Sequence, residues 1–278
     1  MSIRRLSPVL IPFALSFTLA AHAAPLTVIA IKTDTPPTLD GKLDDPVWQQ
    51  GEWYSSFTLL GEGMKPAAAQ TRFKVAFDDQ KLYFGIECFE PSMGKLVGTE
   101  TQRDGHVHRD DCVEMMVDPT GQRVEYYHFT VNVLGTLYDA QMRQGGNVRY
   151  QEWNADWQAQ VSKGEKSWTV EAAIPFVELG LTAASRGDWA LNVARERQAG
   201  TPELSSFSEG RGGFHQPALY AVLKLPGADL ARYMWAVRNP YEASVHMEGD
   251  RLLYSAKTHI TNETGRFWFL QLDRKSVV

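Results

Sequence analysis

Apolar side chains recur at every second position in seven stretches of this chain: Phe73-Val75-Phe77, Leu82-Phe84-Ile86, Val113-Met115-Val117, Tyr127-Phe129-Val131-Val133, Trp157-Ala159-Val161, Trp168-Val170-Ala172-Ile174 and Trp189-Leu191-Val193. An extended strand sends successive side chains to opposite faces, so each stretch reads as a strand with one apolar and one polar side. Turn chemistry separates them at Asp78-Asp79, Asp118-Pro119-Thr120-Gly121, Leu134-Gly135, Lys163-Gly164 and Arg186-Gly187-Asp188. Asp44 to Gln50 and Phe176 to Leu179 read as short helical turns. No long amphipathic helix alternates with the strands, and no Gly-rich loop follows one, which disfavours α/β folds. Strands with a single apolar face need a second sheet to cover it. The predicted fold is therefore all-β: a two-sheet antiparallel β-sandwich followed by a partial β segment.

The opposite faces follow by parity. Where Tyr127, Phe129, Val131 and Val133 point inward, His128, Thr130 and Asn132 point outward, and Glu114 and Asn192 do the same on their own strands. The expected result is a polar surface suited to ligand hydroxyls. Parity also places Cys88 with the apolar residues of its strand and Cys112 with Glu114. If the two strands share a sheet, the sulfurs face opposite ways, so two free thiols are expected over a bridge.

Residues 1–23 read as an export signal: Arg4-Arg5, an apolar run from Leu6 to Ala20, then Ala21-His22-Ala23 as a cleavage site. The expected location is periplasmic or extracellular. The run carries Pro8 and Pro12 and is too short to span a membrane, and no later stretch approaches the ~20 apolar residues a spanning helix needs. The net charge of −5 gives no electrostatic footprint for nucleic acid and suits a neutral or cationic ligand. Residues 24–226 are expected to form the sandwich. In residues 227–272, Asp229 to Ala236 reads as a short helix, and Arg251–Ala256 with Arg266–Leu270 as a hairpin about Thr261-Asn262-Glu263-Thr264-Gly265. This stretch is too small to hold its own core, and reads as the start of a second β domain or a C-terminal extension. The final Asp273-Arg274-Lys275-Ser276-Val277-Val278 matches the translation of a common sequencing adapter, and residues 273–278 are expected to be an assembly artefact.

Several motifs occur in one order: Pro37-Thr38-Leu39-Asp40-Gly41-Lys42-Leu43-Asp44-Asp45-Pro46-Val47-Trp48, then Phe73 to Tyr83, Arg109-Asp110-Asp111-Cys112-Val113-Glu114, Phe129-Thr130-Val131-Asn132 with Gly135 to Ala140, Trp168 to Phe176, Asn192 to Arg197, and Phe214-His215-Gln216-Pro217. Together they resemble the carbohydrate-binding family 9-like domains, a DOMON-like β-sandwich group, over about residues 36 to 225. The resemblance implies non-catalytic sugar binding in a groove on one sheet, with polar side chains bonding hydroxyls and aromatics stacking on the ring. It makes Glu114 a ligand-bonding glutamate, and it places His128 and Thr130 where xylanase-linked members carry a glutamine and an arginine. His108 and Phe214 stand where those members have a pair of clamping tryptophans, a departure that weakens or changes the expected ligand. Structural calcium sites occur in the family, but no loop here is dense enough in ligands to assign one, and no cofactor is expected.

The candidate carbohydrate-binding residues are thus Glu114, His128, Thr130, Asn132, Phe214, His108 and Trp153, with an oligo- or polysaccharide as partner. Each has a plainer role to set beside this one. Glu114 and His128 could be solvated strand residues, Asn132 could cap the turn at Leu134-Gly135, and Trp153 reaches either the core or the groove rim. Arg109, Asp110 and Asp111 read as an ion-pair and turn cluster. Glu114, Asp139, Glu171 and Glu196 show no spacing that pairs two carboxyls for glycoside hydrolysis. No nucleophile elbow, zinc-protease motif or Cys-x-x-Cys occurs, and His106-x-His108 lacks a nearby third metal ligand. A haem-binding electron-transfer domain, using Met115 or Met116 as axial ligand, and a purely structural spacer domain are the alternatives.

Overall fold

The computed structural model describes residues 26–237, 242–249, 251–257 and 260–262. The leader, the partner strand read at Arg266–Leu270 and the terminal hexapeptide lie outside the described residues. In chain order the strands of the main body are Thr27–Ile29 (β1), Ile31–Lys32 (β2), Thr58–Leu59 (β3), Thr71–Phe77 (β4), Lys81–Phe89 (β5), Cys112–Asp118 (β6), Tyr126–Asn132 (β7), Leu137–Arg143 (β8), Val148–Tyr150 (β9), Gln158–Lys163 (β10), Ser167–Pro175 (β11), Trp189–Arg197 (β12), Glu203–Ser206 (β13) and Ala221–Lys224 (β14).

They form a nine-stranded sheet, ordered β1-β14-β12-β6-β7-β8-β9 with β13 and β3 joined to the far half of β12, and a five-stranded sheet ordered β10-β11-β5-β4-β2. Inward residues of both sheets interdigitate: Val113, Phe129 and Val193 from the larger meet Phe73, Phe84 and Val170 from the smaller, all fully buried. Each such side chain contributes ~1.5–3 kcal/mol by leaving water. Pairing is antiparallel except at two edges, where β1 runs parallel to β14 and β2 parallel to β4. One segment, turning at the buried Ala30, therefore stitches an edge of each sheet.

The predicted helical turns are 3-10 turns at Pro46–Gln49 and Phe176–Leu179. The first belongs to a staple. Glu171 on β11 accepts the backbone N–H groups of Asp40 (3.0 Å) and Gly41 (2.9 Å) and the indole N–H of Trp48 (2.7 Å). Gly41 has φ +81°, and a Cβ there would lie 2.6 Å from the Val161 carbonyl carbon, so only glycine fits.

Asp110 and Asp111 are fully buried, contrary to the expected exposed ion-pair cluster. Asp110 accepts from Thr99, Glu100 N–H and Asn132, and Asp111 from the N–H groups of Val97, Gln198 and Ala199. They are loop anchors, because backbone donors at those turns have no strand partner. Cys88 and Cys112 are free, but the sheet assumed for them is corrected: β5 and β6 lie in different sheets. Cys88 faces the shared interior and Cys112 the outside of the nine-stranded sheet.

Beyond β14 the short helix expected at Asp229–Ala236 is one 3-10 turn, Ala231–Tyr233, because the next residues are extended. Trp235–Val237 (β15) pairs with Ile260–Asn262 (β18), while Glu242–Glu248 (β16) pairs with Arg251–Lys257 (β17). The strand expected at Arg251–Ala256 exists, with β16 as its partner.

Candidate functional site

The outer face of the nine-stranded sheet is where parity places it, but it is not open. Val107, Phe214 and Tyr220, from connecting segments, pack over Cys112, Met116 and Tyr126 and make a second apolar cluster. Beside that cluster a polar cavity of about 180 Å³ remains, lined by His108, Glu114, His128, Thr130, Tyr138, Arg149, Glu196 and His215.

Register explains most of this list. Ala194, Glu114, Thr130 and Tyr138 stand opposite one another in a row across β12, β6, β7 and β8. Glu196 and His128 lie two residues along on their strands and so share the face. Glu114 is 3% exposed, His128 5% and Thr130 2%. His128 Nε2 is 2.8 Å from Glu114 Oε2 and 3.1 Å from Thr130 Oγ1. The loop before Pro217 adds His215, whose Nδ1 is 2.8 Å from the Tyr126 hydroxyl and whose ring is 5.0 Å from that of His128.

The carboxyls of Glu114 and Glu196 are in hydrogen-bonding contact. Burial raises the pKa of both, and the charge of Glu114 raises Glu196 further. The pair holds a proton between them, as like charges in contact require. The contact is closer than the ~5–5.5 Å or more that glycoside hydrolysis needs. Burial, with Arg149 adding to it, pushes His128 down to about 3, and burial with the neighbouring His128 pushes His215 down to about 3. Both imidazoles are therefore neutral near pH 7.

Two buried polar atoms on residues that line the cavity have no hydrogen-bond partner: His128 Nδ1 and the Tyr138 hydroxyl. With Nε2–H assigned as donor to the Glu114 carboxyl, the orphan on His128 is an acceptor lone pair.

Of the sequence candidates, Glu114, His128, Thr130 and His108 line the cavity, and Asn132, Phe214 and Trp153 do not. Asn132 Nδ2 donates to Asp110 and to the Glu100 carbonyl, and its Oδ1 caps the turn by accepting from Leu134 and Thr136 N–H. Phe214 is buried in the outer apolar cluster. Trp153 packs on Tyr127 and Phe129, on the interior side. His108 lies within a 3-10 turn, Val107–Arg109, which His106 precedes. Glu196, Tyr138, Arg149 and His215 were missed. Parity reaches the first two, since Glu196 matches Asn192 and Tyr138 faces Thr130. Arg149 and His215 come from an edge strand and a loop, where no periodicity points to them.

Fold and cavity together define a β-sandwich binding module, a two-sheet scaffold with a polar pocket outside one sheet. The chain belongs to the carbohydrate family 9 binding domain-like family, whose sequence profile matches residues 39–227. Among solved structures it is similar to a candidate carbohydrate-binding protein from Bacteroides uniformis ATCC 8492, at 20% identity and TM-score 0.57 over 73% of this chain and 100% of that one. It is also similar to a family 9 carbohydrate-binding module from Caldicellulosiruptor kristjanssonii, solved with glucose (16% identity, TM-score 0.52, 72% of this chain and 96% of that) and with cellotriose (16%, 0.52, 73% and 93%). No curated protein matches it. Among the described residues no helix is long and apolar enough to cross a membrane.

Proposed function

We propose that the outer-face pocket binds one sugar unit of an oligo- or polysaccharide, in an exported protein that serves polysaccharide recognition or breakdown as part of a larger polypeptide. The observation that carries this reading is the pair of buried, unpartnered polar atoms, His128 Nδ1 and Tyr138 Oη, on side chains that line a cavity of about 180 Å³. A buried polar atom without a partner costs about 1–3 kcal/mol, which a ligand hydroxyl recovers. The cavity is smaller than the ~300–1,000 Å³ of pockets for drug-sized ligands, and suits a single ring. Thr130, Glu196 and the neutral imidazoles offer both donors and acceptors, and Arg149 stands exposed among the lining residues. His108, at one of the family's two tryptophan positions, and the Tyr138 ring both line the cavity and offer stacking surfaces. Family membership supports the substrate class. Haem fits the site poorly: Met115 packs between the sheets, Met116 is enclosed in the apolar cluster, and the cavity has no room for a macrocycle.

The test is calorimetric titration with glucose, xylose, cellotriose and a wider oligosaccharide panel. Glu114→Gln and Tyr138→Phe should each weaken the binding sugar at least about tenfold, the value of one lost hydrogen bond. Parental affinity in both variants, with unchanged melting curves, would place binding elsewhere.

A further inference from the structure

We propose that Glu114, His128 and His215 form a binding site for a divalent transition-metal ion of the zinc class. The inference goes beyond saccharide binding and does not depend on it. One donor atom from each residue lies within 4.8 Å of the other two. The donors come from β6, β7 and the loop before Pro217, so the fold, and not a local run of sequence, brings them together. Two imidazoles and one carboxylate are a zinc donor set that leaves a position open, here toward the cavity. Calcium instead takes six to eight oxygen ligands, and this site does not offer them.

The surroundings are those of a held ligand set. His215 Nδ1 is engaged by the Tyr126 hydroxyl at 2.8 Å, and the two rings stack at 23°, which leaves Nε2 of His215 free. Such a second contact fixes ring orientation and ligand basicity. On His128 it is Nε2 that faces Glu114, and Thr130 Oγ1 lies 3.1 Å from that same nitrogen. To reach tetrahedral spacing, roughly 3.3 Å between donors at zinc distances, the widest pair must close by up to about 1.5 Å. His215, half-buried on its loop, is the ligand placed to move. Glu196 and His108 line the same cavity and are candidates for a fourth ligand. Arg149 opposes a cation, but it is exposed, and solvent and salt screen it.

Tag-free full-length protein, stripped with a chelator, is titrated with Zn2+ by calorimetry, and Co2+ is added separately to read the visible d–d band. The expected result is one ion per chain, with a melting temperature about 5 °C higher at hundredfold excess over Kd. Ca2+ should give neither effect. His215→Ala should abolish uptake, and Tyr126→Phe should weaken it by about tenfold or more. No uptake by folded protein, or equal uptake by His215→Ala and His128→Gln, overturns the assignment. Saccharide titrations with Zn2+ and with chelator separate the two readings. Zinc uptake without sugar binding in either buffer removes only the sugar reading, and sugar binding under chelator without zinc uptake removes only the metal.

Discussion

Three consecutive residues of β12 end in two buried clusters built on opposite rules. Arg195 and Arg197 turn to one side and meet Glu90: Arg195 Nη2 lies 2.8 Å from Glu90 Oε2, Arg197 Nε 2.7 Å from the same oxygen, and Arg197 Nη2 2.8 Å from Oε1. Arg195 Nη1 also donates to the Phe89 carbonyl at 2.8 Å, so the cluster bridges from one sheet to the other. Glu196, between them, turns to the opposite face and meets another carboxyl, that of Glu114. Burial alone would raise Glu90, but hydrogen bonds from Arg197 and the Ser92 N–H and the charges of both arginines hold its pKa below the usual value. Nothing of opposite sign offsets the burial of Glu196. The first cluster uses charge to fix the fold. The second leaves polar demand unmet beside a cavity, the trade of stability for function expected of the proposed site.

The sharpest way to break this comparison is at Glu90. Glu90→Ala leaves Arg195, fully buried, without its carboxylate, and removing one partner of a buried ion pair costs about 3–5 kcal/mol. Urea denaturation should show a loss of that order. A loss under ~1 kcal/mol would mean that the arginines relax to solvent and that the cluster does not hold the sheets. The opposite change is expected on the other face. Glu196→Gln keeps the shape and spares the folded pair the proton it must otherwise take up, so it should raise stability by about 1 kcal/mol at pH 8. A destabilised Glu196→Gln would show that the carboxyl pair is a structural asset, and the contrast between the two faces would fail.

Sequence periodicity reveals strands and their buried sides because the pleat imposes it on every residue of a strand. All seven alternating stretches supply strands of the sandwich, and His128, Thr130 and Glu114 face away from its interior as parity requires. Parity does not reveal what lies over a face. The outer cover made by Val107, Phe214 and Tyr220 comes from connecting segments, and with it came the shift from Phe214 to its neighbour His215 as the pocket residue. Motif strength proved to mark architecture more than site. The Leu39-Asp40-Gly41 and Trp48 elements close on Glu171, Asp110 and Asp111 hold loops, and Asn132 caps a turn. Glu196 was legible by the same parity as Asn192. Its contact with Glu114 was not, since two residues on neighbouring strands touch only when the register is known.

The smallest expected effect is also the one that isolates the pocket's charges, and it is read in metal-free protein kept in chelator. His128 and His215 are lowered to about 3 from 6.5, so below pH ~6.5 the unfolded chain binds protons that the folded one refuses, and stability falls as pH falls. Glu114 and Glu196 are raised from 4.5, so the folded chain holds a proton that the unfolded one has released, and stability falls as pH rises through the raised values. The two effects oppose between pH ~4.5 and ~6.5, and melting temperature should be nearly flat there and decline on both sides. The Glu90 cluster, with its lowered carboxyl, steepens the acid side only. Glu196→Gln should therefore flatten the alkaline decline by a few degrees and leave the acid limb as it was, while His215→Ala should soften the acid limb alone. If calorimetric scans from pH 4 to 9 show the same alkaline decline in Glu196→Gln as in the parent, the shared proton is not what distinguishes this face from the one that carries Glu90.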